Sequence, residues 1–301
     1  MVNVFLSVVF VTHGGRIEVV RRFLESITGY QSEEWVEFIC IDNGSDPPAF
    51  RLIHNDYPFV TVIKNNENLG TSRAYNAGIR AATGKYVLIL NDDTVIPDGM
   101  LDKIKAFLHA HPTLDGIALG LKKDKKNFQA LRLRIINFKK SHPDKVKRAT
   151  FVGTGNLLIK KEVMQQVDLY DENYFAGNED MDLSFRLKKA GIEIYYIPQL
   201  YIYHLHVYRK KKSSWAEFTL ARRLSDVYFA KKFFPFLVIF VKRYAFRSFK
   251  KKAGKVLSKD ALQKAKEIIS LDLDSYYEVQ KSLLNKGIIQ TYQKYVLNTR
   301  H

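Results

Sequence analysis

Over the first 120 residues, short apolar runs alternate with segments whose apolar residues recur at helical spacing. The runs fall at 4–11, 36–41, 60–63, 86–90 and 116–119; the helix-spaced segments between them fall at 17–27, 48–55, 71–82 and 97–110. A chain written this way builds βαβ units and a mostly parallel sheet covered on both faces. Sheets of that kind bind ligands outside the carboxyl ends of their strands. Polar clusters stand at those ends: Thr12-His13-Gly14, Asp42-Asn43-Gly44-Ser45 and Asn91-Asp92-Asp93. The three describe the rim of one cleft.

The stretch YVLILNDDTVIPDGM (86–100) sharpens the point. Two adjacent carboxylates repel each other, and burying them costs far more than burying the leucines before them. A positive group is therefore expected beside Asp92 and Asp93. Taken alone, the Asn-Asp-Asp triplet could equally cap the following helix.

Charge is spread unevenly. Of the net +17, residues 207–301 carry 22 Lys/Arg against 7 Asp/Glu, whereas residues 1–206 are close to neutral. Such asymmetry points to an anionic surface, lipid or nucleic acid. The lone cysteine, Cys40, excludes a disulfide framework within the chain and fits a reducing compartment. The opening apolar run has no basic leader and no small-residue cleavage site, so it reads as a strand and not as a signal peptide.

Further along, 122–148 is basic and irregular, and reads as a surface excursion. FVGTGNLLI (151–159) reads as a glycine turn and a strand, and 178–191 as a helix stopped by Gly191. EIYYIPQLYIYHLH (193–206) reads as two short strands around Pro198. After the charge run RKKKSSW, where Ser213 or Ser214 can cap, helices are expected at 215–234, 236–252, about 258–271 and 275–284. The stretch FFPFLVIFV (233–241) falls far short of the ~20 apolar residues that cross a bilayer. Flanked by Lys231, Lys232, Lys242, Arg243, Arg247 and the lysines at 250–252, it suits a helix lying among lipid headgroups.

Two other groups could carry chemistry. Glu179 and Asp182 share one helical face while Asp180 points elsewhere; acids there also favour a helix N-terminus. His204 and His206 share one strand face.

VVFVTHGG, IDNGS, ENLGTSRAYNAGIRAATGKYVLILNDDT, GTGNLLIKKEV, YDENYFAGNEDMDLSFRLKKAGIEIYYIP and YHLH follow one another in order. Over about residues 3–206 the chain resembles family 2 glycosyltransferases, close to the bacterial rhamnosyltransferase-like branch. The resemblance implies a GT-A fold, an α/β class with a Rossmann-like, mostly parallel sheet flanked by helices, for a catalytic domain at 1–206. Its nucleotide-sugar half would be about 1–120 and its acceptor half about 121–206, followed by a basic helical region at 207–301. It implies an inverting transfer from a nucleotide-diphosphate sugar, UDP- or dTDP-linked, with Mn²⁺ or Mg²⁺ as cofactor.

Residue by residue, Asn91 and Asp93 match the ends of the family's Asp-x-Asp motif; Asp93, Asn91 and His204 would hold the metal, with His206 in reserve. The amide at Asn91 departs from the pattern and brings Asp92 forward as a donor-site residue. Asp42 would read the pyrimidine base. Thr12, His13, Gly14, Asn68 and Arg73 would line the base and diphosphate; here His13-Gly14 stands where Tyr-Asn is common. Gly153 and Gly155 would let backbone approach the sugar. Asp180 would be the base, with Glu179 positioning the acceptor or the base.

The implied partners are the sugar donor, a glycan or lipid-linked acceptor in cell-surface polysaccharide synthesis, and an anionic membrane touching 207–301. That places the protein in the cytoplasm, peripheral on the inner face of the cell membrane. Nucleic acid is not expected, because FFPFLVIFV fits no stacking platform. Two other readings remain at this stage: a nucleic-acid- or membrane-binding scaffold on a degenerate transferase fold, and a tail that packs within the protein or forms a homodimer contact.

Overall fold

The computed structural model describes residues 4–14, 16–123, 147–205, 215–254 and 256–298. The elements run β1 (Leu6–Thr12), α1 (Ile17–Glu25), β2 (Val36–Asn43), α2 (Ala49–Asp56), β3 (Val60–Asn65), α3 (Gly70–Ala81), β4 (Tyr86–Asn91), β5 (Thr94–Val95), α4 (Met100–Ala110), β6 (Gly116–Lys123), β7 (Lys147–Arg148), β8 (Asn156–Lys160), α5 (Lys161–Gln166), α6 (Glu179–Lys189), β9 (Ile194–His204), α7 (Trp215–Phe233), α8 (Val238–Ala253), α9 (Lys259–Ser270) and α10 (Tyr277–Tyr292).

The described strands form one sheet in the order β3-β2-β1-β4-β8-β6-β9-β5, with β7 pairing to β9. Strands β3, β2, β1 and β4 are parallel; β8 enters antiparallel between β4 and β6. The apolar runs are continuous because both faces are buried. Leu88 and Leu90 of β4 face one core with Val8 and Phe10, while Val87 and Ile89 face the other with Val9 and Ile41. Helix α3 lies close on that second face: a Cβ at Gly78 would come within 2.4 Å of Val9 and 2.5 Å of Ile41, so only glycine fits.

One sequence expectation is corrected. Residues 193–206 do not make two strands around Pro198; β9 runs unbroken from Ile194 to His204. Its pairing with β6 slips instead: Leu119 sits opposite Ile197 and Gly120 opposite Tyr201. Proline has no N–H to give a ladder, and a bulge lets it stay within a strand. The core of the surface excursion, the charge run with Ser213 and Ser214, and His206 lie outside the described residues.

The chain divides into two compact units. The first comprises residues 1–69, 73–170 and 183–208 and holds the sheet. The second comprises 70–72, 171–182 and 209–301. Its core gathers Tyr174 with Leu220, Leu224, Phe249, Ile268, Tyr276 and Leu283 from α7, α8, α9 and the α10 region. Helix α10 reaches past the expected end and is interrupted at Gly287, which takes φ 82°. Ser258 caps α9, its hydroxyl accepting from Ala261 N–H at 3.1 Å.

Candidate active site

In the first unit, parallel register aligns three strand ends: Thr12 opposite Asp42, and Val11 opposite Asn91. The expected alignment of polar strand ends is therefore present. The positive group expected beside the carboxylates is Arg16. It forms an ion pair with Asp92, which is 1% exposed, and its Nη1 lies 4.0 Å from Asp93 Oδ2. Burial pushes the Asp92 carboxyl up to about 6; Arg16 opposes that shift, and the neighbouring Asp93 adds to it.

Asp93 faces β9. Its carbonyl accepts from Leu205 N–H at 2.8 Å, and the next residue, Thr94, pairs with His204 across β5 and β9. This places His204 Nε2 3.5 Å from Asp93 Oδ1. Burial holds the imidazole below its ordinary pKa; the Asp93 carboxylate works against that shift and the Arg16 guanidinium with it. A neutral imidazole nitrogen and a carboxylate oxygen thus lie side by side, a donor pair that could hold a divalent cation. Among the described residues no cluster of three or more His, Cys, Asp or Glu could hold a metal.

Asn91 is oriented differently. Its Oδ1 lies 2.7 Å from the Tyr75 hydroxyl, which also bonds the Leu90 carbonyl at 2.8 Å. Its amide also packs on Gly155, where an added Cβ would fall 2.5 Å from Nδ2 and where φ is +107°. Glycine at 155 is thus required by the Asn91 side chain. The structure does not show Asn91 joining Asp93 and His204.

Asp42, 1% exposed, works within its own turn. Its Oδ1 accepts from Ser45 N–H at 3.0 Å and from the Ser45 hydroxyl, and its Oδ2 from Phe50 N–H at 2.9 Å. Three donors already converge on the carboxylate expected to read a base. Beside it, amides lock the loop: Asn43 Nδ2 donates to Asn68 Oδ1 (2.9 Å), and Asn65 Nδ2 and Leu69 N–H donate to Asn43 Oδ1 (2.9 and 3.0 Å). His13 closes the circuit. Its Nδ1 lies 2.9 Å from the Asn43 carbonyl, which can only accept, so Nδ1 carries the proton and Nε2 accepts from Asn68 Nδ2 at 3.2 Å. His13 and Asn68 are thereby joined through Asn43, the residue after Asp42. Arg73 is half-buried in the first turn of α3.

In the second unit, residues 171–182 are held by the C-terminal helices. Lys232 Nζ donates to Asp171 (2.7 Å) and Asp182 (2.6 Å), and Tyr228 donates to Asp171 (2.9 Å). Gln280 Oε1 accepts from Phe175 and Ala176 N–H at 2.9 and 3.3 Å, and its Nε2 donates to Ser225, which bonds the Ala176 carbonyl. Asn178 donates to Asp226 at 2.9 Å. Asp180 stands in the first turn of α6, its carboxyl raised by burial against the opposing pull of its neighbour's N–H and of Arg222. Glu179 is buried beside it. Arg16, Tyr75, Lys232 and Gln280 were not legible as site-building residues; only Arg16 had a signal, as a cation directly after the His13-Gly14-Gly15 loop.

The sheet, parallel over β3-β2-β1-β4 and joined by antiparallel β8, has the GT-A glycosyltransferase fold. Residues 7–167 match Glycosyl transferase family 2, and the chain belongs to that family. An N-acetylglucosaminyltransferase of Bradyrhizobium diazoefficiens is 24% identical over 236 residues, covering 70% of this chain and 47% of the relative. The chain spans about half the length, or less, of the first curated relatives it matches. Among solved structures, S. aureus TarS 1–349 superposes with a TM-score of 0.55 at 14% identity, covering 98% of this chain and 91% of that one. The mannosyltransferase PcManGT from Pyrobaculum calidifontis, solved with GDP-Man and Mn²⁺, gives 0.53 at 18%, covering 98% and 88%. Both are likenesses of fold.

Proposed function

We propose that the protein is an inverting, metal-dependent glycosyltransferase that moves a sugar from a nucleotide-diphosphate donor to a glycan or lipid-linked acceptor in cell-surface polysaccharide synthesis, at the inner face of the cell membrane. The observation that carries the reading is the Asp93–His204 pair, one carboxylate and one neutral imidazole set 3.5 Å apart by the β5–β9 pairing.

Asp93 and His204 would hold Mn²⁺ or Mg²⁺, which would supply positive charge against the donor's diphosphate. Arg16 keeps the neighbouring Asp92 carboxylate compensated and holds the loop after β1 against the end of β4. His13, Asn68 and Arg73 line the donor side. Asp42 shapes the loop that meets the nucleotide, as its three bound donors require. Asn91, held by Tyr75 and Gly155, sets the backbone from which Asp92 and Asp93 project. On the acceptor side, Asp180 takes the proton of the attacking hydroxyl. Burial, which raises its pKa, makes it a stronger base than an exposed aspartate. The acceptor oxygen then bonds the anomeric carbon from the face opposite the diphosphate, which leaves with the bonding pair.

UDP and dTDP are the first donors to test. GDP joins them because the neighbour PcManGT was solved with GDP-Man and Mn²⁺. Calorimetric titration with each nucleotide, in Mn²⁺, Mg²⁺ and EDTA, is expected to show binding of one nucleotide that EDTA abolishes and that Asp93→Ala weakens at least about tenfold. Nucleotide binding indifferent to EDTA and to Asp93→Ala would reject the metal pair.

A further inference from the structure

Helix α8 and the short turn before it, Pro235–Leu237, present a surface the glycosyltransferase reading leaves unused. Phe236, Ile239 and Phe240 are 75%, 66% and 66% exposed, and Leu237 and Tyr244 are exposed beside them. Spacings of three and four put these on one helical face. The opposite face, Ala245, Phe249 and Ala253, is buried in the core of the helical unit.

The exposed face is divided along its length. Its first turns are apolar. Farther along, Arg243, Arg247, Lys250, Lys251 and Lys252 are exposed, and α8 contains no acidic residue. The other expected flanking cations do not join them. Lys231 bonds Asp272 and Asp274, Lys232 bonds Asp171 and Asp182, and Lys242 donates to the Ser270 carbonyl. The sequence shows a greasy stretch with lysines on both sides. Among the described residues of α8, the exposed cations all follow the apolar stretch.

We infer that the protein docks on an anionic lipid bilayer tip-first: the Pro235–Phe240 end of α8 enters the acyl boundary, and Arg243, Arg247 and Lys250–Lys252 stay at the headgroups. A lipid surface satisfies both halves, because it offers an apolar interior next to a layer of anions. A second copy of the chain would bring the two cationic ends into like-charge contact along with the apolar tips. Nucleic acid would meet the cations and leave three large apolar side chains in water. The inference rests on the proposed function only in placing the acceptor at a membrane, and it is tested without sugar transfer.

The full chain is floated with vesicles of phosphatidylcholine, alone or mixed with phosphatidylglycerol. Flotation is expected with the mixed vesicles at low salt and is expected to weaken as salt rises. Ile239→Ser with Phe240→Ser is expected to weaken it roughly ten- to a hundredfold from lost apolar burial, and Arg243→Glu with Arg247→Glu about tenfold or more. An environment-sensitive dye on Phe240→Cys should move to an apolar surround while the same dye on Lys251→Cys stays in water; Cys40 is buried and does not compete for label. Circular dichroism and nucleotide binding of each variant check that the fold survives. Failure to float, equal burial of both dyes (a helix lying flat), dimerisation abolished by the Ile239/Phe240 variant, or displacement from vesicles by an oligonucleotide but not by salt would each overturn the inference. Loss of nucleotide binding in the wild type with flotation intact would count against the transferase reading alone.

Discussion

Lys231 and Lys232 are neighbours in sequence, and the structure gives their removal opposite consequences. Lys232 Nζ sits between Asp171 (2.7 Å) and Asp182 (2.6 Å), and the Asp182 side chain is fully buried. Lys232 holds the Asp171 carboxyl below the ordinary carboxylate range despite burial. Lys232→Met keeps the stem and removes the charge, leaving two carboxylates facing each other. Breaking a buried ion pair from one side costs about 3–5 kcal/mol; since the lysine side chain is itself 27% exposed, the loss should fall near about 3. Lys231 pairs instead with Asp272 and Asp274, which lie in solvent, so Lys231→Met should change stability little.

The assay is urea denaturation of both variants, followed by circular dichroism, at pH 7 and at about pH 3.5. A depressed native pKa contributes stability that is present above the unfolded value of about 3.9 and is lost as pH falls through the folded one. The gap between wild type and Lys232→Met should therefore be largest at neutral pH and close toward acid. Amide exchange gives a local readout: protection of Phe175 and Ala176 N–H should fall in Lys232→Met and rise again in Lys232→Arg. If the two methionine variants are equally stable at pH 7, the clasp on residues 171–182 does not hold that segment, and the reasoning from burial fails.

Two more outcomes follow from the site. Arg16→Met should destabilise by about 3 kcal/mol or more, because Asp92 is left buried without its cation, and Arg16→Met with Asp92→Asn should recover most of that loss; thermal melts of the single and double variants check it. For Asp180, whose carboxyl is raised by burial, the acid limb of kcat should lie above the usual carboxylate range, and Asp180→Asn should lower kcat by about a hundredfold or more with nucleotide affinity unchanged; steady-state kinetics against pH and calorimetry read the two separately.

Much of the fold was legible because its signals are local. The run at 86–90 is apolar throughout and the one at 36–41 is broken only by Glu37, as strands covered on both faces tend to be, and β4 and β2 contain them. The helix expected at about 258–271 is α9, Lys259–Ser270. The boundary of a strand at the first polar triplet put Thr12, Asp42 and Asn91 at one edge, because parallel strands of similar length end together.

The triplet at Asn91-Asp92-Asp93 shows where that reading stops. Its place at the end of an apolar run pointed to a cation or a metal beside two carboxylates, since like charges taken out of water repel and need an opposite charge. Which partner each one takes is a matter of register and direction. Asp92 turns inward to Arg16, Asp93 outward to His204 across a two-residue strand, and Asn91 aside to Tyr75. Asp92 and Asp93 lie in the turn between β4 and β5, where successive side chains point different ways, and the triplet's partners lie near in the chain (Tyr75) or far from it (Arg16, His204), as the sheet order decides. The same holds for the basic tail. Its charge and its apolar stretch are facts of sequence; that Lys231, Lys232 and Lys242 are each taken up by acids or a carbonyl while Phe236, Ile239 and Phe240 face out was decided only when the helices packed, because packing chooses which side of a helix is spent on the core.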